Sequence, residues 1–151
     1  MPSNFLWIGL IKIFLPNAKI IHISRNIKDN CLSIYKNLFD KDSLKWTYDQ
    51  NDIIQYVKLY KDLMKFWKKK LPNFIYNLSY ENLINDQIKE SKKMLKFCNL
   101  KWENKCKNYF ETKSSVKTAS IIQVRKPIYK TSLNQSKEYL QYLDFLKKLK
   151  N

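Results

Sequence analysis

The sequence predicts an α/β fold built on a small parallel sheet, and three observations carry that expectation. A short apolar, β-branched run over 18–24 (AKIIHIS) reads as a buried strand, and 74–79 (FIYNLS) reads as a second strand. They alternate with apolar patterns at helical spacing, which is the order of an α/β unit. The 151 residues are 44% hydrophobic with a single glycine, so one domain can bury a core and no glycine-rich phosphate loop lies in the chain.

Each element follows from local signals. Asn4 caps a first helix that runs through Leu15, and Pro16-Asn17 ends it. Its apolar stretch is interrupted by Lys12, too short to span a bilayer and without a basic leader, so it reads as a buried helix. The strand 18–24 stops at Ser24-Arg25-Asn26. A helix follows over 27–39, with Ile27, Cys31, Ile34, Tyr35 and Leu38 on one face. A polar loop covers 40–48. The longest helix starts at Asp49, with Ile53, Tyr56, Val57, Tyr60, Leu63, Met64 and Trp67 inward. Lys68, Lys69 and Lys70 suit the negative end of its dipole, and Pro72-Asn73 ends it.

After the second strand, Tyr80-Glu81-Asn82-Leu83 leads into a helix that places Ile84, Ile88, Leu95 and Cys98 together. A helical piece is expected over 102–110 and an ordered loop over 111–129. A closing helix is expected over 135–149, with Tyr139, Tyr142, Leu143, Leu146 and Leu149 inward. Residues 1–151 form one unit. Two strands are too few to bury both faces and both edges of a parallel sheet. Either a partner supplies strands, or the chain is the C-terminal portion of a larger fold.

Charge and thiols narrow the function. Lys and Arg outnumber Asp and Glu by 29 to 13, a net +16. A polyanion partner is one reading. The other is a solvated surface inflated by a drift towards AT-rich codons, since Lys, Asn, Ile and Tyr are abundant together. Arg25 and Arg125 are the only arginines, and Lys cannot replace their planar two-pronged fork on a phosphate or carboxylate. Cys31, Cys98 and Cys106 show no CxxC spacing, so neither a disulfide framework nor a metal site is expected. Reduced thiols and a cytoplasmic location are expected. His22, the one histidine, lies inside a strand and reads as core.

Arg25 falls just past the C-terminal end of the first strand, the edge where open α/β sheets bind ligands. Ser33 follows two helical turns later, about 11 Å along the axis. A phosphate could bridge the two. Alternatively, Arg25 pairs with Asp29 on the surface and Ser33 is a small helical residue.

Here the stretch LPNAKIIHISRNIKDNCLSIYKNLF resembles the sulfotransferase segment that grips the 3′-phosphate of 3′-phosphoadenosine 5′-phosphosulfate. The resemblance is closest to bacterial tetratricopeptide-repeat sulfotransferases, which are similar to tyrosylprotein sulfotransferases. It implies a 3′-phosphate site at Arg25 and Ser33. NLSYENL resembles the family's second strand and turn, which implies a nucleotide contact at Tyr80. TASIIQVRKPIY resembles its late nucleotide-binding loop, which implies that Gln123, Val124, Arg125, Lys126 and Pro127 bind nucleotide. The same resemblance places Ser120 near the transferred sulfuryl group, as a catalytic residue.

The sequence departs from the family at Ile27, where proline is usual, and at Gln135 and Ser136, where a basic residue and tryptophan are usual. Asn37 stands where the tyrosylprotein enzymes add an arginine. The family's Gly-x-x-Arg-Ser-Gly-Thr type 5′-phosphosulfate loop and its catalytic base precede the matched region. The expected fold is therefore a partial P-loop-like parallel sheet flanked by helices, lacking the N-terminal strand and 5′-phosphosulfate loop. The missing half would come in cis or from a partner chain. The expected reaction is sulfuryl transfer to a hydroxyl acceptor, with the chain alone inactive. Two rival readings are a basic nucleic-acid-binding module, from aromatics interleaved with Lys, and a nonenzymatic remnant that folds with a partner.

Overall fold

Ile20–Ser24 (β1) and Ile75–Ser79 (β2) pair in parallel in a computed structural model that describes residues 3–39, 42–112 and 125–150. Ile20 lies opposite Ile75 and Ser24 opposite Ser79. The predicted two-stranded α/β core is therefore present. Both strands begin later than their apolar runs, because pairing starts only at the Ile20 and Ile75 register. Before β1, a 3-10 turn over Asn4–Trp7 continues into α1, Ile8–Phe14. The crossover between the strands holds α2, Ile27–Lys36, and α3, Gln50–Lys70. After β2 come α4, Tyr80–Asn85, and α5, Gln87–Phe97. Two short C-terminal helices complete the described residues: α6, Ser136–Tyr139, and α7, Asp144–Lys148.

The long helix α3 is the spine. The Asp49 carboxylate accepts from the Asn51 and Asp52 amides at its start, and three lysines close it. Its buried Ile53 and Val57 pack with Ile27, Cys31 and Leu32 of α2 and with Phe145, Leu146 and Leu149 at the C-terminus. Two turns further on, Met64 packs with Phe5, Ile8, Phe74 and Ile75, which seats the first helix and β2 on the same spine. Full burial of such a side chain contributes roughly 1.5–3 kcal/mol. Trp46 stacks on Tyr56 with ring centroids 3.8 Å apart, so 42–48 is not a plain polar loop but a 3-10 turn pinned to α3.

Several expected helices are shorter or broken. Asp86 leaves helical geometry at φ −144° and ψ 80°, and its side chain caps α5 by accepting from Lys89 N. That break rotates Ile88 off the shared face, and Ile88 is exposed. The segment 102–110 forms only 3-10 turns, at Asn104–Cys106 and Tyr109–Glu111. The closing helix is two pieces, because a turn at Tyr142, whose amide donates to Tyr139 O, resets the helical phase. Tyr142 consequently points outward at 75% exposure, whereas Leu146 and Leu149 are buried as expected. The first helix is buried on one face only: Phe5 and Ile8 are inside, while Ile13 and Phe14 stand in solvent. Among the described residues, no helix is long and apolar enough to cross a membrane. The three cysteines are free. An apolar groove of about 500 Å³ runs along β1, lined by Phe5, Ile8, Ile21, Ile34 and Val57 among others.

Candidate functional site at the C-terminal edge of the sheet

Both strands end at the same edge, and each passes directly into a helix. The Asn26 side chain caps α2 by accepting from the Lys28 and Asp29 amides at 3.0 and 3.1 Å. Ser79 caps α4 through the Asn82 amide. Glu81 joins the two turns: it accepts from Asn26 N at 2.7 Å and from the Ser79 hydroxyl at 3.0 Å. The turn carrying Arg25 is thus fixed to the turn carrying Tyr80, although 55 residues separate them in sequence.

Arg25 lies over the Tyr80 ring, 5.0 Å from its centroid. Its Nη2 donates to the carbonyl of Ser132, and its Nε is buried without a partner. The Tyr80 hydroxyl is 2.8 Å from the Ser132 hydroxyl. Ser132 reaches this place because Asp29 holds the strap that follows it. The Asp29 carboxylate, only 2% exposed, accepts from the Asn134 and Ser136 amides at 2.7 and 2.8 Å. The Arg25–Asp29 ion pair considered from sequence is therefore not the pairing formed: Asp29 is spent on the strap.

A cleft of about 860 Å³ opens at this edge. Arg25 and Tyr80 line one side, and Tyr60, Lys61, Lys65 and Lys68 of α3 line the other. Its cations, Arg25, Lys61, Lys65 and Lys68, outnumber its carboxylates, Asp29 and Glu81, so the lining keeps a net positive charge. A cleft of this sign favours an anionic ligand.

His22 also lines the cleft and is not the buried core residue expected. The parallel register sets it beside Asn77 on one face of the sheet. Its Nδ1 is 2.9 Å from Asn77 Oδ1, and its Nε2 is hydrogen-bonded to the Tyr60 hydroxyl. With a carbonyl-type oxygen facing Nδ1, that nitrogen carries the proton and Nε2 accepts from Tyr60. Burial lowers the His22 pKa below its ordinary value, the Asn77 hydrogen bond opposes that, and the charge of Lys68 adds to the lowering. Burial likewise raises the pKa of Tyr60. Burial pushes the thiol of Cys31, on the inner face of α2, up to about 12.

Of the residues singled out from sequence, the structure brings Arg25 and Tyr80 into contact. Ser33 sits half-buried on α2, its carbonyl accepting from Asn37 Nδ2, and does not line the cleft. Arg125, Lys126 and Pro127 are exposed, with Lys126 O accepting from the Tyr109 hydroxyl at 2.8 Å. Ser120, Gln123 and Val124 lie outside the described residues. Sequence reasoning missed Ser132, Tyr60 and Asn77. Ser132 is 107 residues from Arg25 and carried no motif, and Asn77 becomes visible only once the strand register is known. Among the described residues, no group of His, Cys, Asp and Glu is placed to hold a metal ion.

Over 145 residues the chain is 37% identical to an uncharacterized protein of Aquifex aeolicus (strain VF5). The match covers 95% of this chain and 19% of that protein, so the chain spans about a fifth of the length of its relative. The family model described as "Sulfotransferase family" matches residues 1–104, which include both strands, Arg25 and Tyr80. With more than half of its length matched, the chain belongs to the sulfotransferase family.

Proposed function

We propose that the cleft binds 3′-phosphoadenosine 5′-phosphosulfate and that the chain is the nucleotide-holding part of a sulfotransferase site. The carrying observation is the placement of Arg25: a guanidinium at the C-terminal end of a parallel strand, laid on Tyr80, with a buried Nε free to donate. An arginine fork is suited to a 3′-phosphate, and the lysines of α3 add charge across the cleft. Ser33, Ser120, Gln123, Val124, Arg125, Lys126 and Pro127 join this proposal on the family resemblance.

The chemistry is transfer of SO3 from the phosphate leaving group to an acceptor hydroxyl. The protein's work is positioning and charge neutralisation, by analogy with phosphoryl transfer. The sequence holds one glycine, Gly9, and no Gly-x-x-Arg-Ser-Gly loop for the 5′-phosphosulfate. The groove along β1 has the apolar lining that a further strand would cover. In this proposal that strand and its loop come from the remainder of a longer protein or from a partner, and the isolated chain binds nucleotide without turnover.

Calorimetric titration of the chain with adenosine 3′,5′-bisphosphate and with adenosine 5′-monophosphate tests the reading. The expected result is preference for the bisphosphate by about tenfold or more, from one charge-assisted contact. Equal affinity for the two nucleotides would contradict it.

A further inference from the structure

The donors around Arg25 do not balance, and the imbalance points to a ligand. The Nε of Arg25 is buried and has no acceptor among the described residues. A buried donor left unmade on a charged group is costly, and native structures rarely keep one without a reason. The Tyr80 ring lies under the same guanidinium, and its Oη is 2.8 Å from Ser132 Oγ. Each hydroxyl has one proton, and only one of the two protons can lie between them. The other is left for a second acceptor. Two unspent donors, Arg25 Nε and one hydroxyl proton, therefore belong to three residues in mutual contact.

Three separate parts of the chain meet there. Arg25 comes from the end of β1, Tyr80 from the start of α4, and Ser132 from the C-terminal strap. The strap is held in position two and four residues later, where Asp29 accepts the Asn134 and Ser136 amides. The Ser132 carbonyl also holds the guanidinium through Nη2, which fixes the orientation of the planar group. Ser132 is thus preorganised against Arg25 and Tyr80, directly before Leu133 and Asn134, which line the cleft.

We propose that Ser132 is a phosphoryl-binding residue: with Arg25 and Tyr80 it forms a three-point cradle in which phosphoryl oxygens accept from Arg25 Nε and from the free hydroxyl proton of the Ser132–Tyr80 pair. This rests on the nucleotide reading above and adds a ligand that neither the sequence motifs nor the family match supplied. Ser132, through its carbonyl on Arg25 and its hydroxyl on Tyr80, takes the role beside the arginine that the sequence offered to Ser33.

The test uses the full chain with Ser132→Ala, Ser132→Thr and Tyr80→Phe, titrated with adenosine 3′,5′-bisphosphate, adenosine 5′-monophosphate and inorganic phosphate, with thermal melts alongside. Ser132→Ala is expected to weaken bisphosphate binding about tenfold, the size of one hydrogen bond to a charged group, and to weaken phosphate in the same direction. Tyr80→Phe keeps the ring under Arg25 and should give a similar loss. Ser132→Thr, which restores a hydroxyl, should return affinity to within about twofold of the parent. A tether without a ligand role would lower the melting temperature and leave affinity unchanged, and that result overturns the proposal, as does failure of Ser132→Thr to rescue. If Ser132→Ala weakens the bisphosphate, the monophosphate and free phosphate alike, and the parent shows no preference among nucleotides, the cradle stands as a general phosphate site and the 3′-phosphate reading falls. If the parent chain binds none of the three, both fall.

Discussion

Replacing Asp29 by alanine should detach the C-terminal strap from the site. The Asp29 carboxylate is 2% exposed and accepts two main-chain amides, at 2.7 and 2.8 Å, from a segment more than 100 residues away. Hydrogen bonds to a charged group contribute about 1.5–3 kcal/mol each, so the pair is worth roughly 3–6 kcal/mol. The strap can shift to let water reach the freed amides, which holds the expected cost near the lower end, about 3 kcal/mol. A domain of this size is stable by about 5–15 kcal/mol, so the loss is a large share. With a urea m-value of about 2 kcal/mol/M, the midpoint should fall by roughly 1.5 M. Asp29→Asn keeps one acceptor oxygen and should lose about half as much. Nucleotide affinity should fall in step, because Ser132 rides on the same strap. A midpoint for Asp29→Ala within about 0.25 M of the parent would refute this reasoning. It would mean that the burial of Phe145, Leu146 and Leu149 alone holds the strap.

Gly9→Ala, which on an exposed helix would stabilise by up to about 1 kcal/mol, should here lower the melting temperature. A Cβ at residue 9 would stand 2.7 Å from Cη2 of Trp67, and overpacking costs about 1–3 kcal/mol. A raised melting temperature would show that the indole gives way freely. The lowered His22 pKa makes stability depend on pH in one direction. Below the ordinary value of 6.5 the unfolded chain takes up a proton that the folded chain resists, so His22 stabilises the fold fully above that pH. That contribution should fade as pH drops through the window below 6.5, and urea midpoints of the parent and His22→Gln chains from pH 7.5 to 5.5 should converge, whereas a gap that widens on acidification would reverse the sign. Cys31, with its thiol pushed up to about 12 and no exposure, should resist alkylation in the folded chain at pH 8 while Cys98 and Cys106 react. Equal modification of all three, read by mass spectrometry, would contradict the burial.

Local rules carried the sequence reading as far as they apply. The β-branched run around Ile20–Ile23 and the short run around Ile75–Leu78 after Pro72-Asn73 marked the two strands, and Asp49, the α3 repeat and the terminal lysines marked the long helix, because each signal is confined to one element. Periodicity failed where a single residue resets the helical phase. Asp86 splits α4 from α5 by turning its side chain to a cap, and the turn at Tyr142 sends that ring to solvent. The end of the first strand was legible as a ligand edge, and Arg25 and Tyr80 do meet there. The rest of the site depends on long-range register. His22 meets Asn77 only through parallel pairing, and Ser132 reaches Arg25 only because a buried Asp29 captures the strap. Asp29 looked from sequence like a surface partner for Arg25. Its removal from water follows from the C-terminal packing of Phe145 and Leu146, which no local pattern near Asp29 encodes.

In this proposal Arg25 recognises a 3′-phosphate through its planar guanidinium and not through charge alone. Arg25→Lys keeps the charge and loses the planar pair of donors. Lys69→Ala removes a charge from an exposed position at the end of α3 that does not line the cleft. The decisive measurement is the ratio of affinities for adenosine 3′,5′-bisphosphate and adenosine 5′-monophosphate, by calorimetry, in the parent and in both variants. Arg25→Lys is expected to cut this ratio about tenfold, a loss of about 1.4 kcal/mol, while Lys69→Ala leaves it within about twofold. Equal losses from the two substitutions would contradict it and make binding a matter of diffuse positive charge.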